Sequence, residues 1–170
     1  MENTNKSKVR SFEIDHTRLR PGLYSHIDLR GGRCVTTFDL RLVQPNCEED
    51  PPLPNAVMHT IEHIGAHYLR SRKDWGNSII YFGPMGCRTG FYAVIDGPHQ
   101  PEERLMRDLF MSMAKEIANW PKDKPIPGAS PEKCGNWRDH NIMGAKKAMQ
   151  KWLRIFDTKN LDYYPFSYPE

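Results

Sequence analysis

The sequence predicts an α+β fold, an antiparallel sheet packed against helices in a single-domain α/β sandwich spanning residues 1–170. Three observations predict it. Short runs of alternating apolar and polar residues recur, three longer stretches carry helical spacing, and segments rich in glycine and proline separate them. The resulting order is strand, strand, helix, strand, strand, helix, helix. Strands that follow one another through short loops pair antiparallel, and the helices then cover one face of the sheet.

The elements follow in chain order. "SFEIDH" at 11–16 alternates briefly and reads as a first strand. "CVTTFDLRLVQPN" alternates more clearly, with Phe38, Leu40 and Leu42 on one face and Asp39 and Arg41 on the other. Pro45 and Asn46 end it, and the proline-rich "CEEDPPLPNA" cannot extend a sheet. "NAVMHTIEHIGAHYLRSRK" brings Val57, Ile61, Ile64 and Leu69 together at helical spacing, with Gly65 as its weak point. "SIIYF" and "GFYAVIDG" read as two strands around the loop "GPMGCRT". "PEERLMRDLFMSMAKEIANW" is an amphipathic helix with a proline near its start and acidic residues in its first turn. "GAKKAMQKWLRIF" is the last helix. There is no internal repeat.

Composition narrows the function. With 38% hydrophobic and 26% charged residues the chain reads as a globular protein with a real core. The formal net charge is only +3, and the basic residues are interspersed with carboxylates, so no nucleic-acid footprint is expected. No apolar run has the length of a membrane span. The opening "MENTNKSKVRSF" lacks the apolar core of a secretory signal, so the expected compartment is the cytoplasm. Cys34, Cys47, Cys87 and Cys134 are accordingly expected as thiols, Cys34 as a small buried hydrophobe.

The chemistry concentrates in "HTIEH". Residues four apart on a helix stand one above the other, so His59 and His63 can reach one cation. Glu62, next to His63, is placed to act as a base beside that cation without binding it. The spacing H-x-x-E-H also occurs as a metallopeptidase signature, and equally describes a helix with two ordinary polar histidines. His67, one turn on, is expected to face solvent. A catalytic metal usually takes three protein ligands and keeps one position open. The third must come from elsewhere, and "EKCGNWRDH" offers Cys134. Cys87 follows a glycine in a tight turn beside Arg88; by spacing alone it is either a packed turn cysteine or a thiolate favoured by nearby cations.

Taken together, "SFEIDH", "FDLRLVQPN", "HTIEH", "GPMGCRTGFY" and "EKCGNWRDH", in that order from residue 11 to about 140, resemble the S-ribosylhomocysteine lyase (LuxS) family. The resemblance implies an α+β sandwich and a metal held by His59, His63 and Cys134. That metal would be one Fe²⁺ per subunit, with Zn²⁺ or Co²⁺ as substitutes. It implies Cys87 and Glu62 as acid/base groups, with Ser11, His16 and Arg41 holding the substrate or orienting groups at the site. Arg70 matches a position for the substrate's amino-acid end. It further implies a homodimer with its two sites at the subunit interface. Many members carry an aspartate three residues before the proline of P-M-G-C, where this chain has Tyr81.

The implied reaction cleaves the thioether of S-ribosylhomocysteine. The C–S bond is not labile until the sugar carbonyl migrates from carbon one to carbon two and then to carbon three. The proton at carbon four is then acidic, and sulfur stands β to a ketone. Elimination releases homocysteine, returned to the methyl cycle, and 4,5-dihydroxy-2,3-pentanedione, the precursor of the quorum-sensing signal autoinducer-2. There is no net redox change, so no nicotinamide or flavin is required. Two other readings compete. A small metallopeptidase gives no role to "GPMGC" or "EKCGNWRDH". A structural metal module would close its shell with a fourth ligand, for which Cys87 is the one available thiol.

Overall fold

The computed structural model describes residues 10–156 and 167–168, residues 10 and 11 through their backbone only. The elements are α1 (Arg10–Glu13), β1 (Gly22–Arg30), β2 (Arg33–Arg41), α2 (Asn55–Arg70), β3 (Ile79–Pro84), β4 (Gly90–Gly97), α3 (Glu103–Ala118) and α4 (Ile142–Phe156). The strands form one antiparallel sheet in the order β1-β2-β4-β3. This is the expected α+β class, with one reassignment.

The reassignment concerns the first strand. "SFEIDH" begins as the helical turn α1 and pairs with nothing in the sheet, and Phe12 is 85% exposed. The strand that pairs with β2 is instead "GLYSHIDLR". Arg30 pairs with Arg33, and the two residues between them are Gly31 (φ 55°) and Gly32 (φ 78°). Two successive positive φ angles are what a tight two-residue hairpin with native twist demands, and glycine supplies them without strain.

The sheet's alternation builds the core. Across β1, β2 and β4, Leu23, Leu40 and Phe91 stand in one row and Phe38 and Ala93 in the next; all are buried. Phe82 of β3 stacks on Phe91 with ring centroids 5.2 Å apart. α2 covers this face with Val57, Ile61, Ile64 and Leu69, and α3 and α4 complete the layer through residues such as Phe110, Met113, Met149 and Trp152. Gly65 lies where α2 comes nearest the sheet. A Cβ there would meet Phe82 at 2.6 Å and Met113 at 3.1 Å. The residue that weakens the helix in sequence is the one that lets it seat.

α4 is tied to the end of the sheet by Trp152, whose indole N–H donates to the carbonyls of Arg41 (3.0 Å) and Gly22 (3.3 Å). No helix among the described residues is long and apolar enough to cross a membrane.

Candidate active site and metal centre

α2 carries His59, Glu62 and His63 on the face next to its buried stripe. The loop between α3 and α4 wraps over that face and supplies three things to it. The Asp139 carbonyl accepts from His59 Nδ1 at 2.9 Å, and the Pro127 carbonyl accepts from His63 Nδ1 at 2.7 Å. Because a carbonyl only accepts, both rings carry a proton on Nδ1, which leaves Nε2 as the ring nitrogen able to bind a metal. The third contribution is Cys134, whose Sγ stands 3.3 Å from His59 Nε2 and accepts the Asn136 backbone N–H at 3.4 Å. Donor atoms of His59, His63 and Cys134 lie within 4.8 Å of one another. Two borderline nitrogens with fixed tautomers and one soft sulfur suit a divalent transition metal, and three protein donors leave coordination open.

The loop earns this geometry locally. Gly128 has φ +70°, and a Cβ there would stand 3.4 Å from His63 Nδ1. Cys134 N–H bonds back to the Ser130 carbonyl, and Asn141 caps α4 through Gly144 N–H at 2.8 Å. Asn141 N–H also donates to Thr60 Oγ1 at 2.8 Å, pinning the loop's end to α2.

His140 is a member of this cluster that the sequence reading passed over. Its ring stacks on His59 with centroids 4.3 Å apart and meets His63 edge-on at 4.9 Å. Thr60 spends its hydroxyl proton on the Ala56 carbonyl (2.7 Å), so His140 Nδ1 donates to Thr60 Oγ1 at 3.3 Å. Burial, then the neighbouring His59 and His63, push the His140 pKa down to about 4, which keeps the ring neutral beside those two imidazoles. The histidine stood in "EKCGNWRDH", but only the fold brings it under His59.

An open cleft of about 610 Å³ joins α2 to the β3–β4 turn, with His59 and Glu62 on one wall and Pro84, Met85, Gly86 and Arg88 on the other. Cys87 stands within that second wall segment and is exposed. Its sulfur is 3.0 Å from Thr89 Oγ1 and 4.0 Å from the Arg41 guanidinium. Arg41 donates to Thr89 Oγ1 at 2.5 Å, which leaves the Thr89 proton to point at the sulfur. Partial burial pushes the Cys87 thiol up, but Thr89 and then Arg41 outweigh it and hold the thiol below its usual range.

Arg41 was expected on a polar strand face; it is 1% exposed. It forms a buried ion pair with Asp39 at 2.5 Å, and Asp39 is fully buried. In the sheet register Gly22 and Gly90 flank Arg41, and Tyr24 and Tyr92 flank Asp39. Burial pushes the Asp39 carboxyl up against the opposing pull of Arg41; His16 also lies close enough to oppose that rise, with its own Nδ1 bonded to the Ile14 carbonyl at 2.8 Å. His16, Arg41 and Cys87 are thus gathered around one buried ion pair. The Ser11 side chain lies outside the described residues. Arg70 is not gathered with them: it is exposed at the end of α2 and donates to the Ile80 carbonyl at 2.6 Å. His67 is exposed, as expected. Tyr81, 46% exposed, folds its phenol over Gly83 of the same strand, where a Cβ would meet Tyr81 Oη at 2.0 Å.

Over most of its length the chain is similar to one family of known proteins. Residues 9–161 match the family model described as S-Ribosylhomocysteinase (LuxS). The chain is similar to the S-ribosylhomocysteine lyase of Borrelia garinii, 46% identical over 160 residues that cover 92% of this chain and 98% of the relative. It is 44% identical to that of Desulfotalea psychrophila over 163 residues, covering 92% and 98% respectively. With that of Finegoldia magna the identity is 41% over 165 residues, covering 96% of this chain and 99% of the relative.

Proposed function

The chain belongs to the S-ribosylhomocysteinase (LuxS) family, and from that membership we propose that it is a metal-dependent carbon–sulfur lyase acting on S-ribosylhomocysteine. The observation that carries the reading is the convergence of the His59 and His63 donors on Cys134, beside a cleft that Glu62 shares with the Cys87 turn.

His59, His63 and Cys134 would hold one divalent metal, Fe²⁺ in the cell by this reading, with Zn²⁺ or Co²⁺ as substitutes. When bound, it supplies Lewis-acid stabilisation to negative charge developing on the sugar oxygens. Cys87 acts as the thiolate base that takes a proton from one sugar carbon and returns it to the neighbour during the two carbonyl migrations. Against the opposing effect of burial, Thr89 and then Arg41 lower its pKa, which favours the thiolate form that such a base requires. Glu62 moves protons among the substrate's oxygens and assists the β-elimination that releases homocysteine and leaves 4,5-dihydroxy-2,3-pentanedione. Ser11, His16 and Arg41 hold the substrate or orient these groups, and Arg70 serves the amino-acid end. Tyr81, in place of the aspartate common in the family, reshapes the homocysteine end of the pocket.

The working unit of this reading is a cytoplasmic homodimer with its sites at the interface. Phe12, Leu29 and Ile80 are large apolar residues at least half exposed in the single chain, as surfaces covered by a second copy would be. A peptidase would have no use for the Arg41–Thr89–Cys87 arrangement, and a closed structural site would need a fourth ligand that the clustered donors do not include.

The test is thiol release from S-ribosylhomocysteine by protein loaded anaerobically with Fe²⁺, beside metal-free protein and a no-substrate control for the protein's own cysteines. Metal-dependent release is expected. Folded, metal-loaded protein that released no homocysteine would defeat the reading.

A further inference from the structure

The buried pair Asp39–Arg41 has a second end, away from Cys87. There Tyr168, near the C-terminus, lays its ring on Tyr24 with centroids 5.2 Å apart and planes 8° from parallel. Its phenol O–H donates to Asp39 Oδ2 at 3.4 Å, the same oxygen that accepts from Arg41. Asp39 Oδ1 and Arg41 Nε are buried without a hydrogen-bond partner among the described residues, so the pair is short of partners and each bond it has matters. Tyr24 and Tyr92, in register with Asp39 on either side, wall the carboxylate within the sheet, and Tyr168 sits over the Tyr24 side of that row.

We propose that Tyr168 is a positioning residue for Cys87, closing the far end of a hydrogen-bonded line that runs from Tyr168 through Asp39, Arg41 and Thr89 to the sulfur. The phenol takes up part of the Asp39 charge and keeps water from the pair. Arg41 is thereby held where its guanidinium reaches Thr89 and the thiol, and its charge is less fully spent on Asp39. This rests on Cys87 acting as the base under the reading above, but its chemistry is observable without turnover.

The charged and titratable groups around the line are few. Arg41 and Asp39 face it from β2, Tyr92 from β4, His16 from the segment before β1 and Tyr168 from the C-terminal segment, while His59 and Glu62 of α2 and Arg88 line the cleft at the Cys87 turn. Burial, then the charge of Asp39, push the Tyr168 phenol up, so across the working range it stays a donor. No other hydrogen-bond donor to Asp39 Oδ2 besides Arg41 is found among the described residues.

The experiment is the pH dependence of Cys87 alkylation by iodoacetamide in the full-length chain, followed by mass spectrometry of the Cys87 peptide so that the other three cysteines do not contribute. In Tyr168→Phe, which keeps the stack on Tyr24 and loses the O–H, the midpoint is expected to rise by roughly half a pH unit. In Tyr168→Ala, which also opens the pair to water, a larger rise is expected. A purely structural role for the C-terminal segment would lower the melting temperature in Tyr168→Ala and leave the Tyr168→Phe midpoint where it was. An unchanged or lowered midpoint in Tyr168→Phe overturns the proposal, even if Tyr168→Ala fails to fold. Because no substrate is present, that result would leave the lyase reading standing, and failure of thiol release would leave this one standing.

Discussion

His59 and Asp139, eighty residues apart in sequence, are joined by a 2.9 Å hydrogen bond from the imidazole Nδ1 to the backbone carbonyl. With its counterpart from His63 to Pro127, this bond decides which nitrogen of each ring is free to face Cys134. Metal affinity should therefore depend on the loop's backbone as well as on the three donors. Gly128→Ala forces a side chain into a positive-φ position 3.4 Å from His63 Nδ1 and displaces the neighbouring Pro127 carbonyl. The expected loss is about 10- to 100-fold in affinity for Zn²⁺ or Co²⁺, the usual cost of disturbing groups that orient a ligand. Cys134→Ser, which replaces a soft thiolate with a hydroxyl that stays protonated, should lose more. Competition against a chromophoric chelator measures both. Equal affinity in Gly128→Ala and the parent chain would show that the carbonyl is not setting the ring.

The Cys87 thiol should titrate low. Its pKa is depressed, so the thiolate forms at a lower pH than for an ordinary cysteine, and alkylation should accelerate through a midpoint below that of an unperturbed thiol. Thr89→Val keeps the shape and removes the hydroxyl between Arg41 and the sulfur. The midpoint should then rise by roughly half a unit to one unit. A Thr89→Val profile superimposable on that of the parent chain would remove Thr89 from the account.

Much of this site could be read in the sequence because its chemistry is local. His59 and His63 share a helix face whatever the helix packs on, and Cys87 sits in a turn whose glycines and proline are visible. What could not be read depends on which surface covers which. Arg41 stands on the polar face of a strand that alternates cleanly, yet it is buried, paired there with Asp39, whose neighbours in register are Tyr24 and Tyr92. His140 required the loop to fold back on α2 before it could meet His59. The first strand was misplaced for a different reason. β1 carries serine, histidine and aspartate and alternates poorly, and its clearest signal was the Gly31–Gly32 hairpin beyond its end.

Gly65→Ala offers a test of the packing that holds α2 in place. An exposed helical site would gain up to about 1 kcal/mol from this change. Here the added carbon meets Phe82, itself buried and stacked on Phe91, at 2.6 Å. Overpacking of this kind costs about 1–3 kcal/mol, so a net loss of about 1–2 kcal/mol is expected. For a chain of this length that is a fall of about 2–8 °C in melting temperature. A rise in melting temperature would mean that the helix and sheet can part without penalty.

Glu62→Gln separates holding the metal from using it. Glu62 lines the cleft beside His59, but its carboxylate is not among the clustered donor atoms. The amide keeps the volume and the acceptor oxygen of the side chain, and loses the ability to take up and return a proton. If Glu62 is the proton carrier of the proposed reaction, metal content should be unchanged while homocysteine release falls about 10²- to 10⁴-fold, the range typical for a positioned acid or base. Substrate binding should change little, so the loss should appear in kcat and not in KM. Metal analysis of the purified variant alongside steady-state thiol release distinguishes the cases. Near-parental turnover with metal bound would assign the proton transfers to Cys87 or to a group the cleft has yet to reveal, and loss of metal with loss of turnover would make Glu62 a support for the ligands.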